Sequence, residues 1–238
     1  MQGKVQQFLQ ALDRKYGRPK PPAFLPPPAS ADLDAALETA TRNAELVAGV
    51  VLGLHGPPAE GLQAARRLMS IFVDWNEVRV ARRESLLEVM GPETPRSGER
   101  AALFQRFLEA FFLSQRNMNL ESLVGMKPPE RKQFVADLNV FNRDELPALL
   151  LSGFLHPNFP PEAALHRVAV RCGLIRSKTT VLQMAKLFET AMDAEKLLPL
   201  YAHLHTLAAK HCREERADCA HCPLKPHCPT AGRSGGAK

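Results

Sequence analysis

Apolar residues recur at helical spacing along most of this 238-residue chain. Residues 3–15 place Val5, Phe8, Leu9 and Leu12 on one side of a helix, because side chains three and four positions apart share a face. Further segments carry the same pattern: 33–53, 59–72, 83–90, 98–113, 119–124, 128–137, 144–152, 161–172, 178–191 and 195–210. Strand-like alternation over a useful length is absent. The pattern predicts an all-α fold of about ten helices.

A proline-rich stretch, PKPPAFLPPPAS at residues 19–30, separates the first helix from the rest. Proline lacks an N–H donor and fixes its own backbone, so we expect this linker to be extended and to end the first helix sharply. Ser30-Ala-Asp has the form of a helix start. From Thr230 onward the chain is expected to be a disordered tail.

The composition is that of a globular protein, with 45% hydrophobic and 24% charged residues. No apolar run approaches the ~20 residues that span a bilayer, so a membrane-spanning protein is not expected. The first residues, MQGKVQQFLQALDRKYG, are amphipathic and lack the pattern of a secretory signal, so we expect a cytoplasmic protein. The formal net charge of +6 is compatible with a polyanionic partner without establishing one.

Four of the five cysteines lie close together in the run HCREERADCAHCPLKPHCP. They are Cys212, Cys219, Cys222 and Cys228, with the spacing C-x6-C-x2-C-x5-C. In a reducing compartment, clustered cysteines bind metal more often than they form disulfides. Thiolates suit either zinc or an iron–sulfur cluster. Structural zinc usually uses two close cysteine pairs, whereas only Cys219 and Cys222 form such a pair here.

One cysteine and three histidines near this run have less specific interpretations. Cys172 is expected to be a buried core thiol. His211, His221 and His227 are expected to be solvated loop residues, because four cysteines already complete a ligand set. The alternative is a substitute ligand or a hydrogen bond that tunes the bound group.

The cysteine spacing resembles the C-terminal cluster loop of endonuclease III and its adenine-glycosylase relatives. This resemblance implies a 4Fe–4S cluster on the four cysteines, with Zn²⁺ as the alternative. Residues 159–174, FPPEAALHRVAVRCGL, are similar to the family segment FPVDTHVxRVxxRLGL in the same register. Residues 130–159 parallel the family's helix-hairpin-helix and the helix after it. The resemblance covers residues 100–228, and the earlier part matches only as generic helices.

The resemblance implies an all-α, two-lobed fold that binds DNA in the cleft between its lobes. Residues 1–30 are then an N-terminal helix and linker that pack with the cluster lobe, and residues 31–175 form a six-helix barrel lobe with a degenerate hairpin. Residues 176–229 form the 4Fe–4S lobe, and residues 230–238 are the tail. The implied partner is double-stranded DNA with a lesion or mismatch. The chain is expected to be a monomer associated with the nucleoid.

Departures from the family pattern fall on the chemistry. The family hairpin LPGVGxKTA is replaced by LNVFNRDELPA at 138–148, which has no glycine. Asn139 and Asn142 tolerate left-handed backbone better than most residues, so the turn is expected to persist. Arg143 and Asp144 stand where bifunctional members carry a lysine nucleophile, and an arginine cannot form the Schiff base. Lyase chemistry by the family route is therefore not expected.

The catalytic aspartate of monofunctional members corresponds in register to Glu162. This resemblance implies that Glu162 activates water or stabilises an oxocarbenium-like sugar, although an extra methylene displaces its carboxylate and small displacements are costly. The alternative is an ordinary acidic residue in the first turn of a helix.

Several residues are candidates for contact with DNA. Trp75 and Asn76 follow the position of the family's wedge, which fills the gap left by an extruded base. The alternative for Trp75 is a partly buried side chain beside an Asp74–arginine ion pair. The other candidates are the hairpin residues Asn139, Asn142 and Arg143 and the cluster-loop residues Arg213, Arg216 and Lys225. Arg167 and Arg171, four positions apart on one helix face, are interpreted as structural.

Three functional hypotheses follow. The first is a DNA-binding iron–sulfur protein of the endonuclease III type, related to base-excision repair but without lyase activity and without base excision. The second is a monofunctional DNA glycosylase that uses Glu162. The third is a zinc-stapled helical module for protein interaction. Absence of the lysine and of the hairpin glycines favours the first hypothesis over the second.

Overall fold

All regular elements in the part of the chain that the structure describes are helices, which confirms the predicted all-α class. The structure is a computed structural model that describes residues 2–25, 33–54, 58–91 and 96–233. The helices are α1 Gln2–Tyr16, α2 Leu33–Leu52, α3 Pro58–Ile71, α4 Trp75–Val80, α5 Arg83–Met90, α6 Ser97–Gln115, α7 Ser122–Gly125, α8 Pro128–Asp137, α9 Glu145–Phe154, α10 Ala163–Arg171, α11 Val181–Ala191, α12 Ala194–Lys210, the 3-10 helix η1 Lys225–His227, and α13 Pro229–Arg233. None of these helices is long and apolar enough to cross a membrane.

The chain divides into two compact units. Unit 1 consists of residues 1–21 and 155–238, and unit 2 consists of residues 22–154. The division after residue 21 falls inside the predicted proline-rich linker. The second division differs from the predicted one at residue 175, because α10 packs against α12 and so belongs with the C-terminal helices.

Two predicted features at the chain ends fall partly outside the described residues. The helix start at Ser30-Ala-Asp is one of them. The predicted disordered tail is the other: residues 234–238 lie outside the described part, whereas Pro229–Arg233 forms the short helix α13.

The core of unit 2 is centred on α6. Phe104, Phe107 and Phe111 recur at helical spacing on one face of α6, and all three are fully buried. The indole of Trp75, in α4, packs edge-on against Phe104, with 5.7 Å between ring centroids. Burial of an aromatic side chain contributes roughly 1.5–3 kcal/mol to folding, so this aromatic row is a main source of stability in unit 2.

Helices α2 and α3 approach closely where glycines replace larger side chains. A Cβ atom added to Gly61 would lie 2.5 Å from the backbone nitrogen of Gly53 and closer still to the Gly49 carbonyl. A Cβ atom added to Gly49 would lie 2.9 Å from the Cα atom of Leu62. Both positions are buried, so the two backbones pack directly against each other.

Unit 1 joins the two ends of the chain. α12 contributes Leu197, Leu200, Leu204 and Leu207 to its core, and α1 packs against this helix. The buried His203 ring donates from Nε2 to the Asp13 carboxylate of α1 at 2.7 Å. This contact fixes the N-terminal helix on the helix that leads into the cysteine run.

Replacement of Gly61 by alanine is expected to destabilise the protein by at least about 1–3 kcal/mol, because the new methyl group meets backbone atoms that cannot move aside. Gly98 in α6 has open space at its Cβ position, so Gly98→Ala is the matched control and is expected to leave stability unchanged or raise it by up to about 1 kcal/mol. Thermal or urea unfolding measures both variants. Equal stability of the two variants would contradict the close helix crossing.

Candidate functional site

The four clustered cysteines line one cavity in unit 1. α12 ends at Lys210, and the N–H groups of His211 and Cys212 both donate to the Leu207 carbonyl, at 3.0 and 2.6 Å. The chain then forms a loop over residues 211–228, here called the cysteine loop, which is anchored by the buried Leu224. The cavity has a volume of about 930 Å³, and Cys172 also lines it. Its cysteine lining is Cys172, Cys212, Cys219, Cys222 and Cys228.

Two arginines of α10 hold the start of the cysteine loop. Arg167 donates from Nε to the Cys212 carbonyl at 3.1 Å, and Arg171 donates to the carbonyls of Arg213 and Glu214 at 2.8 and 3.2 Å. An Arg171 nitrogen also lies 3.6 Å from the Cys212 sulfur. These contacts agree with the structural interpretation of Arg167 and Arg171, because both arginines bind backbone carbonyls of the cysteine loop.

Cys172 and Cys228 interact directly. The Cys172 thiol is hydrogen-bonded to the Cys228 sulfur, and this bond, more than the opposing effect of burial, lowers the pKa of Cys228 to about 6. The same bond and burial raise the pKa of Cys172. Burial raises the pKa of Cys222, and nearby cysteines add to this effect. Cys172 therefore lines the cysteine cavity, whereas the sequence predicts an ordinary buried core thiol.

The donor set around the cavity is chemically suited to a metal group that binds thiolates. Among the described residues, no three histidine, cysteine, aspartate or glutamate side chains converge on the position of one ion. The thiols instead border a shared cavity, and their charges interact with one another across it. The residues present therefore fit such a group.

The three nearby histidines have different environments. His211 is half-buried: its Nε2 atom is 2.8 Å from the Tyr16 hydroxyl, and its buried Nδ1 atom has no hydrogen-bond partner among the described residues. This differs from the expected solvated loop residue. His221 is exposed and bonded to Asp218 at 2.9 Å, and His227 is exposed.

Glu162 is the N-cap residue of α10, but its side chain does not cap the helix. Its carboxylate accepts instead from His205 Nε2 at 3.0 Å and from the Tyr201 hydroxyl. The Glu162 side chain is 22% exposed and that of His205 is 44% exposed, so solvent reaches this pair. Two donors on α12 thus fix the orientation of the carboxylate, and the interpretation as a first-turn acid does not account for them.

Tyr201 contacts both members of the Glu162–His205 pair. It lies one turn before His205 on the same face of α12, and the two rings pack edge-to-face at 5.2 Å. Phe159 packs against Tyr201 at 6.2 Å, and the Phe159 N–H donates to the Glu189 carboxylate. Burial of Tyr201 raises the pKa of its hydroxyl, and the negative charge of Glu162 raises it further.

The hairpin candidates lie in unit 2, between α8 and α9. Asn139 is exposed and adopts left-handed backbone with a φ of 52°, as the sequence predicts. Asn142 does not: its side-chain oxygen accepts from the N–H groups of Asp144 and Glu145, and Glu145 in turn accepts from the Asn142 N–H. This reciprocal arrangement is a capping box at the start of α9. Arg143 is exposed.

The wedge candidates also lie in unit 2. Trp75 is only 6% exposed and packs in the core, so its side chain is not presented to DNA. Asp74 accepts from the Glu77 N–H at 2.7 Å and caps α4, in place of the expected arginine ion pair. Asn76 is exposed, and its side-chain oxygen accepts from Arg79 at 2.9 Å. The burial of Trp75 agrees with the alternative interpretation, in which its side chain is structural.

The cysteine loop presents its cations to solvent. Arg213, Arg216 and Lys225 are all exposed. Two of the loop's acids are paired locally: Glu214 lies 3.6 Å from Arg167, and Asp218 accepts from His221. The hydrogen bond with His221 lowers the pKa of Asp218. Glu214 and Asp218 are therefore paired with residues other than the three loop cations.

Solved structures of endonuclease III with DNA have the same fold as this chain. A non-covalent endonuclease III–DNA complex gives a TM-score of 0.61 at 16% identity, over 100% of this chain and 99% of that chain. A trapped covalent endonuclease III–DNA intermediate gives 0.60 at 16% identity over 99% of both chains. A thermostable thymine-DNA glycosylase gives 0.57 at 13% identity over 98% of both chains. This chain has the endonuclease III fold.

Sequence comparison matches this chain to a curated DNA glycosylase. DNA glycosylase/AP lyase ROS1 of Arabidopsis thaliana is 22% identical to this chain in an alignment 185 residues long, which covers 71% of this chain. This chain corresponds to 13% of the length of that relative. No protein-family model matches the chain.

The sequence did not reveal two sets of contacts in this fold: the partners of Glu162 and the position of Cys172 beside the clustered cysteines. Tyr201 and His205 were not identified as partners of Glu162, although their spacing of four places them on one helix face. Cys172 was separated from the cysteine cluster, because 39 residues of intervening chain carry no signal that they fold back. Both omissions concern contacts between elements that are distant in sequence.

The raised pKa of Tyr201 predicts that its hydroxyl stays neutral in the folded protein well above pH 10, while it ionises near pH 10 in the unfolded chain. Folding stability contributed by Tyr201 is therefore complete below about pH 10 and is lost as pH rises further. Tyrosinate absorbance of wild type, Tyr201→Phe and Tyr16→Phe during alkaline titration measures this, since the chain has two tyrosines. Ionisation of Tyr201 near pH 10 in folded protein would contradict its burial against Glu162.

Proposed function

We propose that this chain is a duplex-DNA-binding protein of the endonuclease III type that carries a 4Fe–4S cluster and lacks lyase activity. The observation that carries the proposal is the match to endonuclease III in complex with DNA, over 99–100% of this chain and 99% of the endonuclease III chains. Damaged or distorted duplex DNA is the recognised partner. The exposed basic residues described above supply the electrostatic attraction.

Cys212, Cys219, Cys222 and Cys228 are the proposed cluster ligands. The ground for a cubane rather than one zinc ion is the cysteine spacing, because structural zinc usually uses two close pairs and only Cys219 and Cys222 form one here. The low pKa of Cys228, about 6, supports a thiolate at neutral pH, which is the form that binds metal. Such a cluster cross-links the cysteine loop and supplies one-electron redox chemistry when bound.

The absence of lyase activity rests on the residues at the hairpin. Arg143 is exposed at the position of the family lysine, and its guanidinium stays protonated and cannot attack the sugar. Asp144, the next residue, has no nucleophilic nitrogen, and no lysine lies between Lys132 and Lys178. The turn is closed by the Asn142 capping box, and Phe141 packs on Phe107 in the core at 5.8 Å.

Phosphate contact by the cysteine loop predicts a steep salt dependence of duplex binding. Replacement of both Arg213 and Arg216 by alanine is expected to lower the slope of log K against log salt by about one for each lost contact. Lys196→Ala is the control: this lysine is paired with Asp193 at 2.8 Å, at the opposite end of α12. Fluorescence anisotropy over a salt series measures all three proteins. An unchanged slope in the double variant would show that this loop does not contact DNA.

A second function, base excision by a monofunctional glycosylase, is favoured by the geometry of Glu162. His205 and Tyr201 hold its carboxylate in one orientation while leaving it open to solvent. A carboxylate placed in this way can accept a proton from an attacking water or stabilise positive charge at the sugar. In this proposal Glu162 is the catalytic residue, and His205 and Tyr201 are positioning residues.

Single-turnover base release from duplexes with oxidised, alkylated, deaminated or mismatched bases tests the second function. Glu162→Gln is expected to slow the release at least about 100-fold, since it removes the general base. Glu195→Gln, at an exposed position of α12, is the control and is expected to leave the rate unchanged. Release that persists in Glu162→Gln would exclude this residue. Absence of release from every duplex, with binding intact, would leave DNA recognition as the function.

A further inference from the structure

The cysteine cavity contains one thiol more than a four-ligand cluster uses. Cys172 borders the same cavity as the four proposed ligands and is hydrogen-bonded to one of them, Cys228. Cys172 therefore lies beside the position that a bound cluster would occupy, rather than in the interior of the unit.

The backbone around Cys172 is attached to the segment that carries Cys228. The Thr230 hydroxyl donates to the Arg171 carbonyl at 2.8 Å, and the Cys228 sulfur lies 3.3 Å from the same carbonyl. Gly173, with a φ of 69°, turns the chain so that a Cβ atom there would be 3.2 Å from the Pro229 ring. These contacts hold the two thiols as neighbours.

We propose that Cys172 is a reserve ligand of the cluster, able to bind the iron atom that Cys228 holds when Cys228 is displaced or absent. This inference rests on the proposed cluster, and it concerns a residue outside the four-cysteine spacing. Its basis is geometric: both cysteines border one cavity, and the Cys228 sulfur contacts the backbone carbonyl of the residue before Cys172.

The exchange needs no oxidant or reductant. The bond between iron and the Cys228 sulfur breaks, and a bond between the same iron and the Cys172 sulfur forms. The Cys172 proton passes to the released Cys228 thiolate, or to solvent where Cys228 is absent, so the cluster gains one thiolate for each one it loses or lacks. Iron keeps its oxidation state throughout.

The other cysteine positions provide matched controls within the same loop. Cys219 is a proposed ligand from the close pair, whereas Cys228 is the ligand whose sulfur contacts the carbonyl of Arg171, the residue before Cys172. Loss of Cys219 should therefore leave its iron without a substitute thiol. Loss of Cys228 should leave Cys172 beside the iron.

The experiment measures iron, zinc and visible absorbance in chains purified and reconstituted without oxygen. Wild type and Cys172→Ala are expected to contain about four irons per chain, since Cys172 is not a ligand in the resting site. Cys228→Ala is expected to retain about four irons, whereas Cys219→Ala and the double variant Cys172→Ala/Cys228→Ala are expected to lose at least one iron. If Cys228→Ala fails to fold, Cys228→Ser with and without Cys172→Ala repeats the comparison.

The outcomes separate this inference from the proposed cluster. Zinc without iron in wild type would contradict the cluster itself. Four irons in wild type, with the same loss in Cys228→Ala as in Cys219→Ala, would overturn only the reserve role of Cys172. Full iron in the double variant would also overturn it, because another group would then be the substitute ligand.

Discussion

Arg171, at the end of α10, contacts the cysteine loop through both its guanidinium and its backbone carbonyl. It binds the carbonyls of Arg213 and Glu214 and approaches the Cys212 sulfur, while the Arg171 carbonyl accepts from Thr230 beyond the last cysteine. One residue at the end of α10 therefore holds both ends of the loop. Lysine could not replace it, because only a planar guanidinium presents several donors in a fixed fork.

The same two helices serve both candidate sites of unit 1. α10 begins beside Glu162 and ends at Arg171, and α12 carries Tyr201 and His205 before it leads into the cysteine loop. A group bound by the cysteines would stiffen these helices at one end and so limit motion of the carboxylate near the other. The proposed cluster would therefore have a structural value for Glu162 even without a change in its oxidation state. α1 strengthens this arrangement through the pair between Asp13 and His203.

The helical class and most helix positions could be predicted from the sequence, because the signals for them are local. Periodicity located the helices, and the division after residue 21 falls inside the proline-rich linker. The environments of Trp75 and Cys172 were not predictable in this way, since each depends on a distant element that packs against it. Trp75 is buried by Phe104, and Cys172 is brought to Cys228 by the fold of α10.

Local signals were also insufficient where one residue type has two uses. Asparagine serves left-handed turns and helix caps equally well, and here Asn139 adopts the first role and Asn142 the second. Glu162 has the position of a cap but the contacts of an oriented carboxylate. Only the tertiary partners distinguish these uses.

Hydrogen exchange of the iron-loaded protein, with and without a duplex that carries an abasic analogue, tests the central claim most directly. If the endonuclease III fold binds DNA in this chain, duplex should protect backbone amides in the hairpin turn, residues 138–144, and in the cysteine loop, residues 211–228. Helix α11 should exchange equally in both states. Unchanged exchange at both the turn and the loop, under conditions where the duplex is present in excess, would contradict the account.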